Sequence, residues 1–393
     1  MKSSVEDASR RLCLLLDSTG HSMNNVEQRR SFYGKVSQIS SEMESYDKVI
    51  VSGSQGDGIT WQYISDLDVL LFIPHYICNN DPYNAHAVSK GKTVFKINNT
   101  HFGYCTLELT QRGLCELHMI TNSLVQLNGN IFLSSSMFIA TYTPINNAIQ
   151  TWPAKTAQFF GQLIVDYVGT FTCECQHILQ KWVSRYRKYD WPPQSIRQTI
   201  TRMYGNLVAK GMHGSDTEHL EWRYCFIEIE SLLVECLTDT QIKLYMMLKI
   251  INQDIIKTHG FSISSFILKN IVFWLAETFE QHTFRDETLI TWILRALMLL
   301  KRAVERYVLP YYMIPERNLL AEKVKNPERL PLIQTLSDIL KSGPGVLDSC
   351  ETIKQYKTDI SVNRPWLYPE MLWVDWARTL RLANKDTEED RWM

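Results

Sequence analysis

Apolar positions in the first 175 residues fall in short β-branched runs. KVIVSGS (48–54) ends in Gly-Ser, and SDLDVLLFIP (65–74) is closed by Pro74. TVFKINNTHFGYCTLELTQ (93–111) predicts two strands around an Asn-Asn-Thr turn, and LIVDYVGTFTC (163–173) a strong strand with one charge, Asp166. The period then changes. TDTQIKLYMMLKIINQDIIKTHG places Leu244, Met247, Leu248, Ile251 and Ile255 on one helix face behind a Thr or Asp cap. FILKNIVFWLAETF, ETLITWILRALMLLKRAVERYV and residues 4 to about 45 also predict helix, the last with NNVEQRR starting from an Asn cap. IPHYICNNDPYNAHAVSKGK reads as a loop, TWPAKTAQ as a break, and NKDTEEDRWM as a loose acidic end. The expected fold is mixed α/β (α+β) and bilobal. Residues 1–210 would form N-terminal helices and a mixed-sheet core, residues 211–393 a helical lobe, with a cleft between them.

Composition narrows the function. With 45% hydrophobic and 21% charged residues, the chain of 393 has a globular profile, and a net charge of -1 advertises no global field for nucleic acid. Nine cysteines at irregular spacing read as reduced intracellular thiols. CECQH (Cys173, Cys175, His177) raises a metal site, but no second ligand cluster follows, so no zinc is expected. The N-terminus lacks the pattern of a signal peptide and no run spans a membrane, so the expected compartment is the cytoplasm.

The chemistry centres on GSQGDGITWQYISDLD (53–68). Asp66 and Asp68 stand one residue apart at a strand start and project to one side. Two repelling carboxylates on one face can hold Mg²⁺, and a pair of such ions serves phosphoryl or nucleotidyl transfer. Gly53 lets backbone approach a triphosphate, and Ser54 offers a hydroxyl. Asp-x-Asp is also common at wet strand ends. A third carboxylate would come from Glu108 or Asp166, each a single acid in an apolar strand; the larger apolar neighbours of Asp166 weakly favour it.

At these residues the chain resembles nucleotidyltransferases of the cyclic GMP-AMP synthase type, including animal cGAS-like receptors and the "male abnormal" proteins. GSQGD with SDLD resembles their Gly-Ser and metal-binding signatures, and LIVDYVGTF the strand with their third acid. LVAKG, EWRYCFIEIE (as a helix), YMMLKII, SSFILKNIVFW and YMIPERNLL follow in order, over roughly residues 25 to 335. The resemblance implies that Asp66, Asp68 and Asp166 bind two Mg²⁺ (or Mn²⁺) and that Gly53 and Ser54 hold the donor triphosphate. It implies that Asp57 shapes that loop, that Arg223 meets a phosphate or base edge, that Lys249 and Ser265 reach donor phosphates, and that Phe266 stacks on a base. Taken alone, Arg223, Lys249 and Phe266 read as a surface arginine, a snorkelling lysine and a core phenylalanine.

The family's zinc-binding insertion has no counterpart in ESLLVECLTDTQIKLY, and Cys225 and Ile227 replace acceptor-facing serines, which leaves the bases joined open. The resemblance implies ATP and/or GTP as substrates, a cyclic dinucleotide product, a role in innate immune sensing and activation by double-stranded nucleic acid, RNA rather than DNA, with a possible dimer on the ligand. Lys181, Arg185 and Lys188 share a face if WVSRYRK is helical, and Arg29, Arg30 and Lys35 lie on the N-terminal helix. A same-fold enzyme making linear oligonucleotides and a catalytically silent binding protein are the alternatives.

Overall fold

The computed structural model describes residues 2–43, 46–60, 67–80, 91–144, 148–151, 153–159, 163–261, 263–321 and 326–361. Its centre is a mixed sheet with twelve strands among the described residues. In chain order these are β1 Lys48–Ser52, β2 Leu67–Phe72, β3 Tyr76–Asn79, β4 Thr93–Asn99, β5 Tyr104–Gln111, β6 Leu124–Leu127, β7 Asn130–Leu133, β8 Ile149–Gln150, β9 Lys155–Phe159, β10 Leu163–Cys173, β11 Gly205–Val208 and β12 Glu221–Cys225. The main path runs β1-β2-β10-β11-β12-β5-β4-β3, and β3 returns to pair with the end of β10. The sheet therefore curls onto itself and leaves β3 no open edge there. One face packs a cluster of Phe138, Phe171 and Trp222, with ring centroids 5.2 to 5.7 Å apart. Each of these buried side chains contributes roughly 1.5–3 kcal/mol.

The helices used below are α1 Lys2–Leu16, α2 Met23–Met43, α3 Gln176–Ser184, α4 Ile227–Glu235, α5 Asp239–Ile251, α6 Ser265–Thr278, α7 Leu289–Arg306, α8 Asn326–Ser342 and α9 Glu351–Ser361. Thr238 and Gln241 form a capping box that starts α5. That helix is buried beyond its apolar stripe, with Gln241 and Lys243 inside; Lys243 is neutralised by Asp17 at 2.7 Å and Asp239 at 2.5 Å. Helix α1 packs on α7, where Ser9 Oγ accepts from the Ile290 amide at 3.2 Å. Among the described residues no helix is long and apolar enough to cross a membrane.

Four expectations differ from the structure. The N-terminal helix is broken at Asp17–His21, where Gly20 takes φ +81° and its carbonyl accepts from Arg29 Nη1 at 2.7 Å. EWRYC is a strand, because alternation sends Trp222 and Tyr224 into the core. β12 therefore carries the sheet past residue 210, to Cys225. The segment read as a loop after Pro74 contains β3. Helix α3 stops at Ser184, so Arg185 and Lys188 do not continue its face.

Candidate active site

β2 and β10 run parallel with Asp68 directly opposite Asp166, Ser52 of β1 opposite Asp68, and Thr156 of β9 opposite Asp166. Opposed residues share a face, and adjacent strands lie about 4.8 Å apart, so the two carboxylates stand abreast. The Thr156 hydroxyl donates to Asp166 Oδ1. Asp68 Oδ2 lies against Gly53: a Cβ built there would sit 2.1 Å from it, and Gly53 has φ +65°. Glycine is thus required by both space and backbone. Residues Gly53–Gly56 form a single helical turn after β1, held to α2 by the Tyr33 hydroxyl donating to Gln55 Oε1.

Asp66 lies outside the described residues. Among the described residues no group of three or more His, Cys, Asp or Glu stands together as a metal site. Asp68 and Asp166 supply two hard oxygen ligands side by side, which suits Mg²⁺ or Mn²⁺. Glu108 is elsewhere, on β5, where it faces Lys96 and accepts from Asn98 Nδ2 at 2.8 Å. In CECQH, Cys173 and Cys175 are buried, burial pushes the Cys173 thiol up, and His177 bonds Asn80 at 2.8 Å.

Cations from α2, α5 and α6 surround the Gly-Ser turn. Lys249 Nζ, from α5, donates to Ser54 Oγ and to the Ile59 carbonyl, each at 2.9 Å. Burial lowers its pKa to about 8; Asp57 opposes this, while Lys269 and Arg29 add to it. Arg29 Nε donates to the Gly58 carbonyl at 2.8 Å. Lys269 bonds Asp57 at 3.4 Å and Glu230 at 2.9 Å; burial acts to lower its pKa, but the two carboxylates outweigh it and the pKa is raised. Asp57 is only 3% exposed and also accepts from Ser231 Oγ at 3.1 Å, so it anchors the turn from below. Sequence reasoning noted Lys269 only as an interruption of an apolar run; its position inside a buried helix was the signal of a partnered charge.

The other expected residues surround the same face. Tyr245, one turn before Lys249, donates to the carbonyl of the exposed Ser265 at 3.3 Å. The half-buried Phe266 ring lies 5.5 Å from Tyr311. Arg223 on β12 is opposite Val208, which connects through Thr170 of β10 to the Asp166 side of the sheet. Of the basic residues assigned to nucleic acid, Arg30 donates to the Asp57 carbonyl at 3.3 Å. Arg185 meets Glu277 at 2.6 Å and the Tyr312 carbonyl at 2.9 Å. Arg29, Arg30 and Arg185 therefore serve internal contacts; Lys35, Lys181 and Lys188 are exposed, Lys181 beside Glu316.

Residues 240–338 match the model of the Mab-21 protein HhH/H2TH-like domain. No curated protein matches the chain. The Mab-21-like segment begins in the first turn of α5 and ends within α8. It contains Lys249, Ser265, Phe266 and Lys269, whereas the Gly-Ser turn, Asp68, Asp166 and Arg223 precede it. Lys249 is thus a point where the Mab-21-like segment touches the turn in front of the carboxylates.

Proposed function

We propose that this chain is a bilobal nucleotidyltransferase that joins ATP and/or GTP into a cyclic dinucleotide. The observation that carries the reading is the row of Asp68 and Asp166 behind a Gly53–Ser54 turn, with Lys249 reaching that turn from the Mab-21-like segment. The Mab-21 match supports the coarser part, a nucleotidyltransferase-like family. Asp66, Asp68 and Asp166 would hold Mg²⁺ or Mn²⁺, which supplies polarisation of the α-phosphate and a lowered pKa for the attacking ribose hydroxyl.

The chain's own residues do the positioning. Ser54 and the turn's amides bind donor phosphate oxygens, and Lys249 moves from Ser54 to a phosphate. Thr156 orients Asp166 for metal, and Lys269 with Asp57 keeps the turn in register. Phe266 stacks on a base, Ser265 stands at the donor phosphates, and Arg223 meets the ligand farther along the sheet. The role would be cytoplasmic sensing of double-stranded RNA in innate immunity, with Lys35, Lys181 and Lys188 as the exposed cations for that contact.

The test is turnover of all four labelled triphosphates with Mg²⁺ or Mn²⁺, without activator, with duplex RNA and with duplex DNA. A phosphatase-resistant product that disappears in Asp68→Asn and Asp166→Asn is expected. Folded wild-type protein that yields no product in any arm, or variants that match it, would sink the proposal. A product with the mass of a linear oligonucleotide would replace the cyclase with a linear synthase.

A further inference from the structure

Asp166 stands between two neighbouring strands. β2 places Asp68 opposite it on one side, and β9 places Thr156 opposite it on the other. An ionised carboxylate only accepts hydrogen bonds, and a threonine hydroxyl has a single proton to give. The Thr156 proton therefore goes to Asp166 Oδ1. Thr156 Oγ1 also lies 2.5 Å from Thr151 Oγ1, so in that contact Thr156 accepts and Thr151 donates. The other acceptor within reach of the Thr151 hydroxyl, the Ala154 carbonyl, is farther away at 3.3 Å and already takes the Thr151 amide at 2.9 Å. The direction of every proton is thus set along the chain from Thr151 through Thr156 to Asp166, and hydrogen bonds in such a chain strengthen one another. A carboxyl group otherwise turns over a broad range about its last torsion. Here one oxygen is tied toward β9, on the side away from Asp68.

We propose that Thr156, oriented by Thr151, makes Asp166 a one-oxygen ligand and thereby selects Mg²⁺ over Ca²⁺. This selection rests on the proposed function, in which Asp166 holds a divalent ion. Mg²⁺ is small, demands near-octahedral geometry and keeps several of its waters, whereas Ca²⁺ takes more oxygens and accepts both oxygens of one carboxylate. With Oδ1 engaged by Thr156, Oδ2 is the oxygen left to meet an ion between Asp166 and Asp68. Both oxygens can turn to Ca²⁺ only when the Thr156 bond breaks. Thr151 and Thr156 are positioning residues, since they act on the ion through Asp166. Their hydroxyls carry the effect rather than their shape, because valine is branched at Cβ like threonine and suits a strand as well.

The test is binding of Mn²⁺ alone to the full chain, read by electron paramagnetic resonance, followed by displacement with Mg²⁺ and with Ca²⁺. Wild type is expected to bind Mn²⁺, to lose it in Asp166→Asn, and to release it to Mg²⁺ at lower concentration than to Ca²⁺. Thr156→Val should weaken Mn²⁺ about tenfold, the usual cost of removing the partner of a metal ligand, and should bring the two displacing concentrations together. Thr156→Ser keeps the hydroxyl and should restore both the affinity and the preference. Thr151→Val should shift the preference the same way by a smaller amount. A threonine that merely packed the strand would lower Tm without changing the order of the ions. Thr156→Val with the wild-type preference, or a lost preference that Thr156→Ser does not restore, overturns the selection and leaves the proposed function standing. Wild type that binds no Mn²⁺, or Asp166→Asn that binds it equally, overturns the carboxylate row and the selection with it.

Discussion

Lys249→Met should separate what the site needs from what the fold needs. In the folded chain the ammonium has a pKa of about 8 against an ordinary 10.5, with burial the largest cause. The folded state therefore binds fewer protons than the unfolded state between those values, and stability rises with pH across that window. At neutral pH the lysine withholds about 3 kcal/mol from the protein, at about 1.4 kcal/mol per pH unit. Methionine removes that deficit but strands the Ile59 carbonyl that Lys249 now satisfies at 2.9 Å, which costs about 1–3 kcal/mol. The variant should thus be between equally stable and about 2 kcal/mol more stable at pH about 7. Its advantage should vanish and reverse as pH rises toward about 10.5, because only the wild type gains there. Urea unfolding of both proteins across that range gives the difference directly. A stability difference that does not change between pH about 8 and about 10.5 would refute the account of Lys249 as a charge held against its desolvation. In the same variant, turnover should fall at least tenfold while the fold persists.

Other perturbations follow from the same contacts. Gly53→Ala should lower turnover far more than Tm, since the added Cβ meets Asp68 Oδ2 at 2.1 Å and the φ of +65° costs about 1–2 kcal/mol; equal loss of both would contradict it. Lys269→Met should destabilise by about 3–5 kcal/mol by stranding Asp57 and Glu230, measured by denaturant unfolding. Restoring stability with Asp57→Asn/Glu230→Gln in that background would show that the stranded charges are the cause. His21 is buried, and burial first, then Arg29, Lys249 and Lys243, lowers its pKa to about 3. Its contribution is full above pH about 6.5 and is lost as pH falls toward about 3, at about 1.4 kcal/mol per unit. His21→Gln should flatten that part of the stability curve.

The parts legible in the sequence were those whose side chains obey one local period. The Asp-x-Asp start of one apolar run and the single acid of another placed Asp68 and Asp166 in strands, and LIVDYVGTFTC became β10 as its composition suggested. EWRYCFIEIE hid a strand because its alternating Trp222 and Tyr224 run straight into the helix that begins at Ile227. The break at Asp17–His21 had a signal in DSTGHS, a run of residues that favour caps and turns, which the long helix reading passed over; Arg29 reaches back to the Gly20 carbonyl there. Arg29 and Arg30 looked like a basic surface for the same reason, since helical spacing says which residues share a face but not what that face meets.

Helix α9 holds two elements at once. Thr352 takes Asp254 through its amide at 2.8 Å and its hydroxyl at 3.1 Å, and the Tyr356 hydroxyl meets His21 Nε2 at 3.0 Å. Synthesis runs from the N-terminus, so a ribosome emits the carboxylate row and the Gly-Ser turn before it emits α9. Until then His21, in the kink between α1 and α2, lacks the Tyr356 hydroxyl that meets its Nε2. The first corner of the molecule to be made thus receives one of its contacts only after almost all of the rest has been synthesised.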